Sequence, residues 1–572
     1  MMKSNKKRSF EFLFFSVLSG KTAGYARLFF CSLFLLTVMN VTCAFAEGLP
    51  YFISADSSKY TSGDPLPVDA VSIFEKRNGF YLFIPTGWDC QRLRILSENG
   101  ESLSLNGVPC QSGDAVSVSP DTDIEICLGR KTWTAHVVQS GSIPAVFITT
   151  DSGSNRTIFQ SKENREPGAC KIIESDASVE YDGRLEYIRI RGQSTSTYEK
   201  KPFQIKLAKS APVFGMEKEK KWVLLANFID KSLLRNTIAL DLARYAGVYS
   251  FVPETKPVDL FLNHQYYGSF LFTEKCEIDS DRLDIRNLEN INEFLNPEEN
   301  APSFGSDKYG LGFNRGVLLE NEPEDYTGGY LVLMTILTYY RRNASGFISD
   351  HGQCFTIEEP ERASKNEVEY IQGCIQRAED VLFTCGPDDR AWTEYIDETT
   401  FVHRYLQAEI TADNDGSHPY LYKDSDQVDS KIYFGPVWDQ DNIWGANKEC
   451  ADPMKLYHST AGDRDISWFP VAVRRPDFSE KVREAYREVY EPALRILLGE
   501  EKDPKGVLRS VDEYAEEIAA SAALENIRWR FVPYRFGNMN QTGDTPEENF
   551  DFLRNFISMR KSFLDDLWLN AP

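Results

Sequence analysis

The apolar residues of this chain change their spacing part-way along it, and that change limits the fold more than any other feature. Early on they recur at every second position in short runs: Gly79-Phe-Tyr-Leu-Phe-Ile, Arg92-Leu-Arg-Ile-Leu, Asp123-Ile-Glu-Ile-Cys-Leu and Thr132-Trp-Thr-Ala-His-Val-Val. Ala145-Val-Phe-Ile-Thr-Thr, Leu185-Glu-Tyr-Ile-Arg-Ile-Arg and Phe203-Gln-Ile-Lys-Leu follow. Residues two apart share a face of extended chain, so each run predicts a strand. In the last third the spacing becomes three and four, and residues 399–411, 479–498, 511–530 and 547–567 predict amphipathic helices. Between the two regimes, residues 231–245 predict a helix. Val258–Leu262 and Tyr267–Thr273 predict a hairpin turning at Asn263-His264-Gln265. Residues 286–315, rich in Asn, Glu, Gly and Pro, read as a loop or insertion.

Strands first and helices later give an α+β class. At 572 residues the chain exceeds what one core can fill. Residues 47–140, with turns at Asn99-Gly100 and Asn106-Gly107, predict a small all-β, immunoglobulin-like sandwich. Residues 141–572 predict a two-lobed body, strand-rich to about 285 and helical beyond. Residues 1–46 differ from both. MMKSNKKRSF is basic, and the apolar run ending Ala44-Phe45-Ala46 completes the pattern of a secretory signal cleaved after Ala46. The mature protein is then secreted or held at the cell surface, with membrane contact through that segment alone.

The net charge of −23 opposes broad affinity for nucleic acid or anionic lipid. No CxxC pair occurs, and the histidines show no HxxxH or HExxH spacing, which argues against zinc. The nine cysteines after residue 46 are scattered and read as buried single thiols rather than a disulfide framework.

Chemistry concentrates in three stretches. Gly435-Pro-Val-Trp-Asp-Gln-Asp-Asn-Ile-Trp-Gly445 sets Asp439 and Asp441 one residue apart among bulky neighbours. If Lys431–Trp438 is a strand that continues into this stretch, both acids share a face and repel unless a cation lies between them. Hard divalent ions take such oxygen ligands; two surface acids on a solvated turn are the plainer explanation. Upstream, Thr411-Ala-Asp-Asn-Asp-Gly416 turns the chain before an extended Tyr420-Leu-Tyr-Lys-Asp424, which makes Asp415 a candidate base. Asp413 reads as a turn residue. In Arg189-Ile-Arg-Gly-Gln-Ser-Thr-Ser-Thr-Tyr-Glu-Lys-Lys-Pro-Phe-Gln-Ile-Lys-Leu207, a hydroxyl-rich turn between strands can cradle an oxyanion. Lys206 there points away from Ile205 and Leu207. In Ile229-Asp-Lys-Ser-Leu-Leu-Arg-Asn236, Asp230 reads as a helix cap and Arg235 and Asn236 as structural.

Together these blocks resemble the spore coat protein H (CotH) kinase family. The resemblance rests on AVFITTDSG (145–153), IRGQSTSTYEKKPFQIKL (190–207), KWVLLANFIDKSLLRN (221–236) and DLFLNHQYYGSFLFTEKCEIDSDRLDI (259–285). It continues through GVLLENE (316–322), AEITADNDGSHPYLYKD (408–424) and KIYFGPVWDQDNIWG (431–445). It implies a two-lobed, atypical protein-kinase-like fold with ATP between the lobes and phosphoryl transfer to Ser or Thr of a protein substrate. It further implies Asp415 as catalytic base, Asp439 and Asp441 as ligands of Mg²⁺ or Mn²⁺, and Lys206, Arg191 and Ser194 as contacts to ATP. Glu274 would orient Lys206 or a metal. The chain departs from the family pattern at Gln193, where Asn is common, and at His418, nearest to a usual Asn. An alternative is a non-catalytic surface module on the same scaffold, binding a cell-surface protein or glycan. Paired carboxylates also fit a glycoside hydrolase, though less well.

Overall fold

Alternating side chains from Ala145 to Glu274 close a barrel, and the barrel decides where everything else attaches. The computed structural model describes residues 49–55, 65–76, 79–98, 101–297, 303–305, 314–340, 343–413, 415, 419–459, 468–530 and 537–570. The expected leader and its cleavage point, the Asn99-Gly100 turn and His418 lie outside the described residues.

Seven strands form the barrel: Ala145–Thr150, Glu166–Ile173, Val179–Ile190, Phe203–Val213, Met216–Leu225, Thr255–Leu262 and Gln265–Glu274. Neighbours pair antiparallel except at the seam, where Ala145–Ile148 runs parallel to Asp259–Leu262. Phe203, Ile205, Leu207, Trp222, Leu224, Phe270 and Phe272 fill the interior, while Gln204 and Lys206 alternate outward. The hairpin turn at Asn263 and His264 is made by two positive-φ residues, at 49° and 68°, as a tight two-residue loop requires.

Before the barrel lie two sheets. One has the order Val71–Ser72, Tyr51–Ser54, Leu93–Leu96, Ala115–Val116. The other runs Phe74–Lys76, Gly79–Ile84, Lys131–Gln139, Asp123–Leu128, Leu103–Leu105, Val108–Cys110. They join the barrel wall through the buried ion pair Lys171–Asp69 at 2.7 Å and the contact of Phe83 with Tyr266.

Two expectations need correcting. The segment 286–572 is not simply helical, because seven short strands between Ser303 and Phe434 form a further sheet of their own. Three of them, Tyr330–Thr335, Cys354–Glu359 and Tyr420–Lys423, are largely buried and pair side by side. Short apolar runs of this kind carry no clear period, so spacing alone does not separate them from buried helix. Within the supposed loop 286–315, Leu288–Leu295 is a helix whose N-cap Asn287 accepts from Asn290 N.

The predicted helices follow with little deviation as Arg235–Ala246, Glu398–Thr411, Val511–Arg528 and Pro546–Trp568, and Lys365–Thr384 is a further helix that spacing did not single out. The stretch read as one helix over 479–498 is Pro476–Ala485 and Glu491–Leu497, joined by a π-helical turn. Ser364, Ser510 and Thr545 each begin a helix with a reciprocal cap from Glu three residues on. Mixed helix and sheet make the class α+β.

Candidate functional site

Three chain segments meet at one cleft: the turn after the barrel strand ending at Ile190, the turn after the Glu398–Thr411 helix, and the loop 435–445.

The helix arrives with Asp397 capping Thr400 N and ends at Ala412, which is left-handed with φ 48°. That reversal turns Asp413 inward. Asp413 is 2% exposed and bonded on several sides. Its carboxylate accepts from Asp415 N at 2.9 Å and Gln440 Nε2 at 3.0 Å, and pairs with Arg404 at 3.5 Å. His458 Nε2 lies 2.9 Å from its backbone oxygen. Asp415, two residues on, is exposed.

The 435–445 loop is clamped from behind. Arg235, fully buried, donates to the carbonyls of Ile443 at 2.8 Å and Trp444 at 3.2 Å, and pairs with Asp230 at 2.5 Å. Asn236 Oδ1 accepts from Gln440 N at 2.7 Å. Trp444 Nε1 donates to Ile410 O at 3.0 Å, tying the loop to the helix. Asp230, Arg235 and Asn236 thus support the site, Arg235 and Asn236 in the structural role expected of them. Asp230 is not the cap it was read as, since Leu234 takes the N-cap position, and it accepts from Arg235 N at 2.8 Å instead.

The strand expected to carry Asp439 and Asp441 stops early. Only Tyr433–Phe434 is extended, and Asp439 has φ 59°. The two acids are therefore brought near each other by a left-handed turn, not by strand alternation. Asp439 is exposed and Asp441 half-exposed, yet protein surrounds both on most sides, as at the floor of a cleft.

This enclosure sets the electrostatics. For Asp441, loss of hydration comes first; the charges of Asp439, Asp230 and Asp415 add to it and push the carboxyl well above its ordinary range. Among the described residues no cation pairs with it. Asp439 is raised by the same enclosure, against the pull of Arg191. Two carboxylates held among acids make a strong case for an added cation.

Of the residues read from sequence, Arg191 reaches this cleft, its guanidinium 5.4 Å from the centre of the Trp438 ring. Ser194 begins a short helical turn, Thr195–Thr197, whose next residue, Tyr198, senses Asp441 and Asp439. Gly192 makes that turn feasible: its φ is 89°, and a Cβ there would meet Thr195 Oγ1 at 2.1 Å. Lys206 is elsewhere. It stands opposite Tyr187, four residues and about 13 Å along the strand from Arg191, and it pairs with Glu186 at 2.6 Å. Glu274 does not orient it. Glu274 sits opposite Trp222 on the inward-facing register of the barrel, whereas Lys206 faces outward, and its carboxylate accepts from Glu254 N at 2.8 Å.

Asp413, Arg404, Gln440, His458 and Trp438 escaped sequence reasoning as site residues. The helix ending at Thr411 was visible, but the left-handed turn at Ala412 that aims Asp413 inward was not. Among the described residues, three acids close enough to share one ion occur at Glu219, Asp279 and Asp281, outside this cleft. Magnesium asks less of a protein, one or two carboxylates beside phosphate oxygens and waters.

The CotH kinase protein family model matches residues 188–564, about two thirds of the chain and every residue of this cleft. The chain belongs to the CotH kinase family. No curated protein matches it. Membership in the CotH kinase family makes the protein kinase-like and implies ATP and a divalent ion. The cleft fits that pair: Asp439 and Asp441 supply hard oxygen donors short of a cation, and Arg191 supplies an anion-binding group beside them.

Proposed function

We propose that this protein is a secreted or cell-surface kinase that transfers the γ-phosphoryl group of ATP to Ser or Thr hydroxyls of a protein substrate. The observation that carries the reading is Asp441, an enclosed carboxylate ringed by Asp439, Asp230 and Asp415 with no cation paired to it among the described residues. Asp439 and Asp441 would hold Mg²⁺ or Mn²⁺; bound there, the ion neutralises phosphate charge and aligns the group to be transferred. Arg191 offers its fork to phosphate oxygens. The turn of Gly192 and Ser194 would offer backbone N–H groups and the Ser194 hydroxyl to the same phosphates. Asp415, exposed at the rim, accepts the proton of the acceptor hydroxyl. Asp413 fixes the Asp415 turn and, through Gln440, the metal-binding loop.

Calorimetric titration of ATP with Mn²⁺ or Mg²⁺ tests this reading, with Asp439→Ala measured beside the unaltered protein. Metal-dependent binding that vanishes in the variant supports it, and binding that survives removes Asp439 from the site. Transfer to a protein acceptor is then followed by mass spectrometry, with Asp415→Asn as the variant expected to lose it.

One observation favours a non-catalytic surface-binding role: the lysine expected at the phosphates, Lys206, is engaged by Glu186 outside the acid cluster. That reading expects no binding of ATP with either metal.

A further inference from the structure

Arg191 is held by a ring and by little else. Its planar guanidinium carries five N–H donors, and among the described residues none of them enters a hydrogen bond or an ion pair. Its guanidinium carbon lies over the Trp438 ring, 5.4 Å from the centre, within electrostatic reach of Asp439. Both side chains are half-buried, so the guanidinium has shed hydration without gaining an acceptor, an arrangement that costs free energy unless a ligand supplies one.

The backbone on both sides is fixed. Arg191 N donates to Pro202 O at 3.1 Å, and the tight turn at Gly192 follows immediately. Trp438 precedes the left-handed Asp439, so an indole and an acid of the cluster project from consecutive residues of one loop. That loop is anchored by Asn236 and Arg235. A cation–π contact offers the guanidinium no hydrogen-bond acceptor, so the N–H donors of the fork remain without one.

We propose that Trp438 is a positioning residue, holding the Arg191 guanidinium in place with its donors free for the phosphate oxygens of a nucleoside triphosphate whose cation is taken by Asp439 and Asp441. The inference rests on the nucleotide reading above and adds how the phosphates are recognised. The chemistry of the cleft selects the ligand class. A phosphate arriving alone meets the acids, and a cation arriving alone meets Arg191. An anion that brings its own divalent ion satisfies both. A planar fork on an aromatic face also suits two phosphate oxygens better than a lysine would.

Titration calorimetry of the unaltered protein, Trp438→Leu and Trp438→Phe, with Mn²⁺ alone and with Mn²⁺–ATP, tests the assignment. Trp438→Leu is expected to weaken Mn²⁺–ATP binding about tenfold, the scale of a lost cation–π contact, while Mn²⁺ alone binds within about twofold of the original. Trp438→Phe, which keeps an aromatic face, recovers most of the loss. A merely structural role weakens both ligands in parallel and gains nothing from Phe; that result, or unchanged Mn²⁺–ATP binding in Trp438→Leu, overturns the proposal. If the unaltered protein binds no Mn²⁺–ATP, the nucleotide reading fails and takes this inference with it. If it binds and Trp438→Leu is unchanged, only the role of Trp438 fails. Should Trp438→Leu not fold by circular dichroism, Arg191→Lys takes its place: charge is kept, the fork is lost, and the same selective weakening of Mn²⁺–ATP is required.

Discussion

Glu277 and Asp441 are both enclosed carboxylates, and their surroundings are opposite. Around Glu277 stand Lys275 at 2.7 Å, Lys221 at 3.0 Å and Arg282. Burial works to raise its pKa, but these cations outweigh burial and bring it below the ordinary range. Around Asp441 stand Asp439, Asp230 and Asp415, so burial and neighbours act together and raise it well above that range. The first acid completes its charge balance inside the chain. The second leaves it open, and on that imbalance the proposed ligand site rests.

The contrast is open to direct attack. Removing Glu277 leaves three cations crowded without their acid, and Arg282 is fully buried. Glu277→Ala is expected to lower stability by about 3 kcal/mol, read from urea unfolding, with ATP binding unmoved. The reverse pattern is expected at the cleft. Asp441→Asn should unfold no more easily than the original, and by calorimetry should weaken metal-dependent ATP binding more than about 100-fold, beyond the usual cost of losing a supporting residue. Equal losses in both assays for either variant would erase the distinction.

Asp259 sharpens it further. This acid is fully buried at the barrel seam and held by the hydroxyls of Ser140, Ser521 and Tyr266 instead of a cation. Burial lifts it to about 6. Its unfolded carboxyl ionises near 4 while the folded one keeps its proton to about 6. The favourable contribution is therefore complete below about 4 and is lost as pH rises to about 6, on the order of 2–3 kcal/mol. Asp259→Asn should flatten that slope in thermal melts across pH 4–7 without touching ATP binding. The smallest effect is expected at Gly192→Ala, where positive φ and the contact with Thr195 distort the phosphate-side turn. A loss of stability of about 1–2 kcal/mol, with several-fold weaker ATP binding, separates that turn from the acids themselves.

Spacing made most of the barrel strands and the helices beyond residue 398 legible, because each buries one periodic face, while Glu166–Ile173 and Lys365–Thr384 went unread. Tyr330–Thr335 and Cys354–Glu359 were harder, being buried runs with no exposed alternate to reveal a period. At the site, WDQD and the loop after Ile190 stood out by composition. Their geometry did not, because the left-handed residues Ala412 and Asp439 are neither glycine nor asparagine, and nothing local announces them. Lys206 shows the limit from the other side. Its outward direction was readable from Ile205 and Leu207, but its partner Glu186 lies on the neighbouring strand, and register between strands is a tertiary fact.

Lys200 has a consequence of a different kind. Its ammonium is fully buried at the rim of the barrel and bonded to Ala226 O, Ser269 O and Glu525, whose carboxylate stands 325 residues further on. During synthesis the barrel strands leave the ribosome long before that carboxylate exists. Until it arrives, a lysine that the finished protein seals away must stay hydrated, and the rim around it cannot shut. The N-terminal half is thus obliged to wait, and any pause, export step or protease acting on the growing chain meets a barrel whose last latch is still unmade.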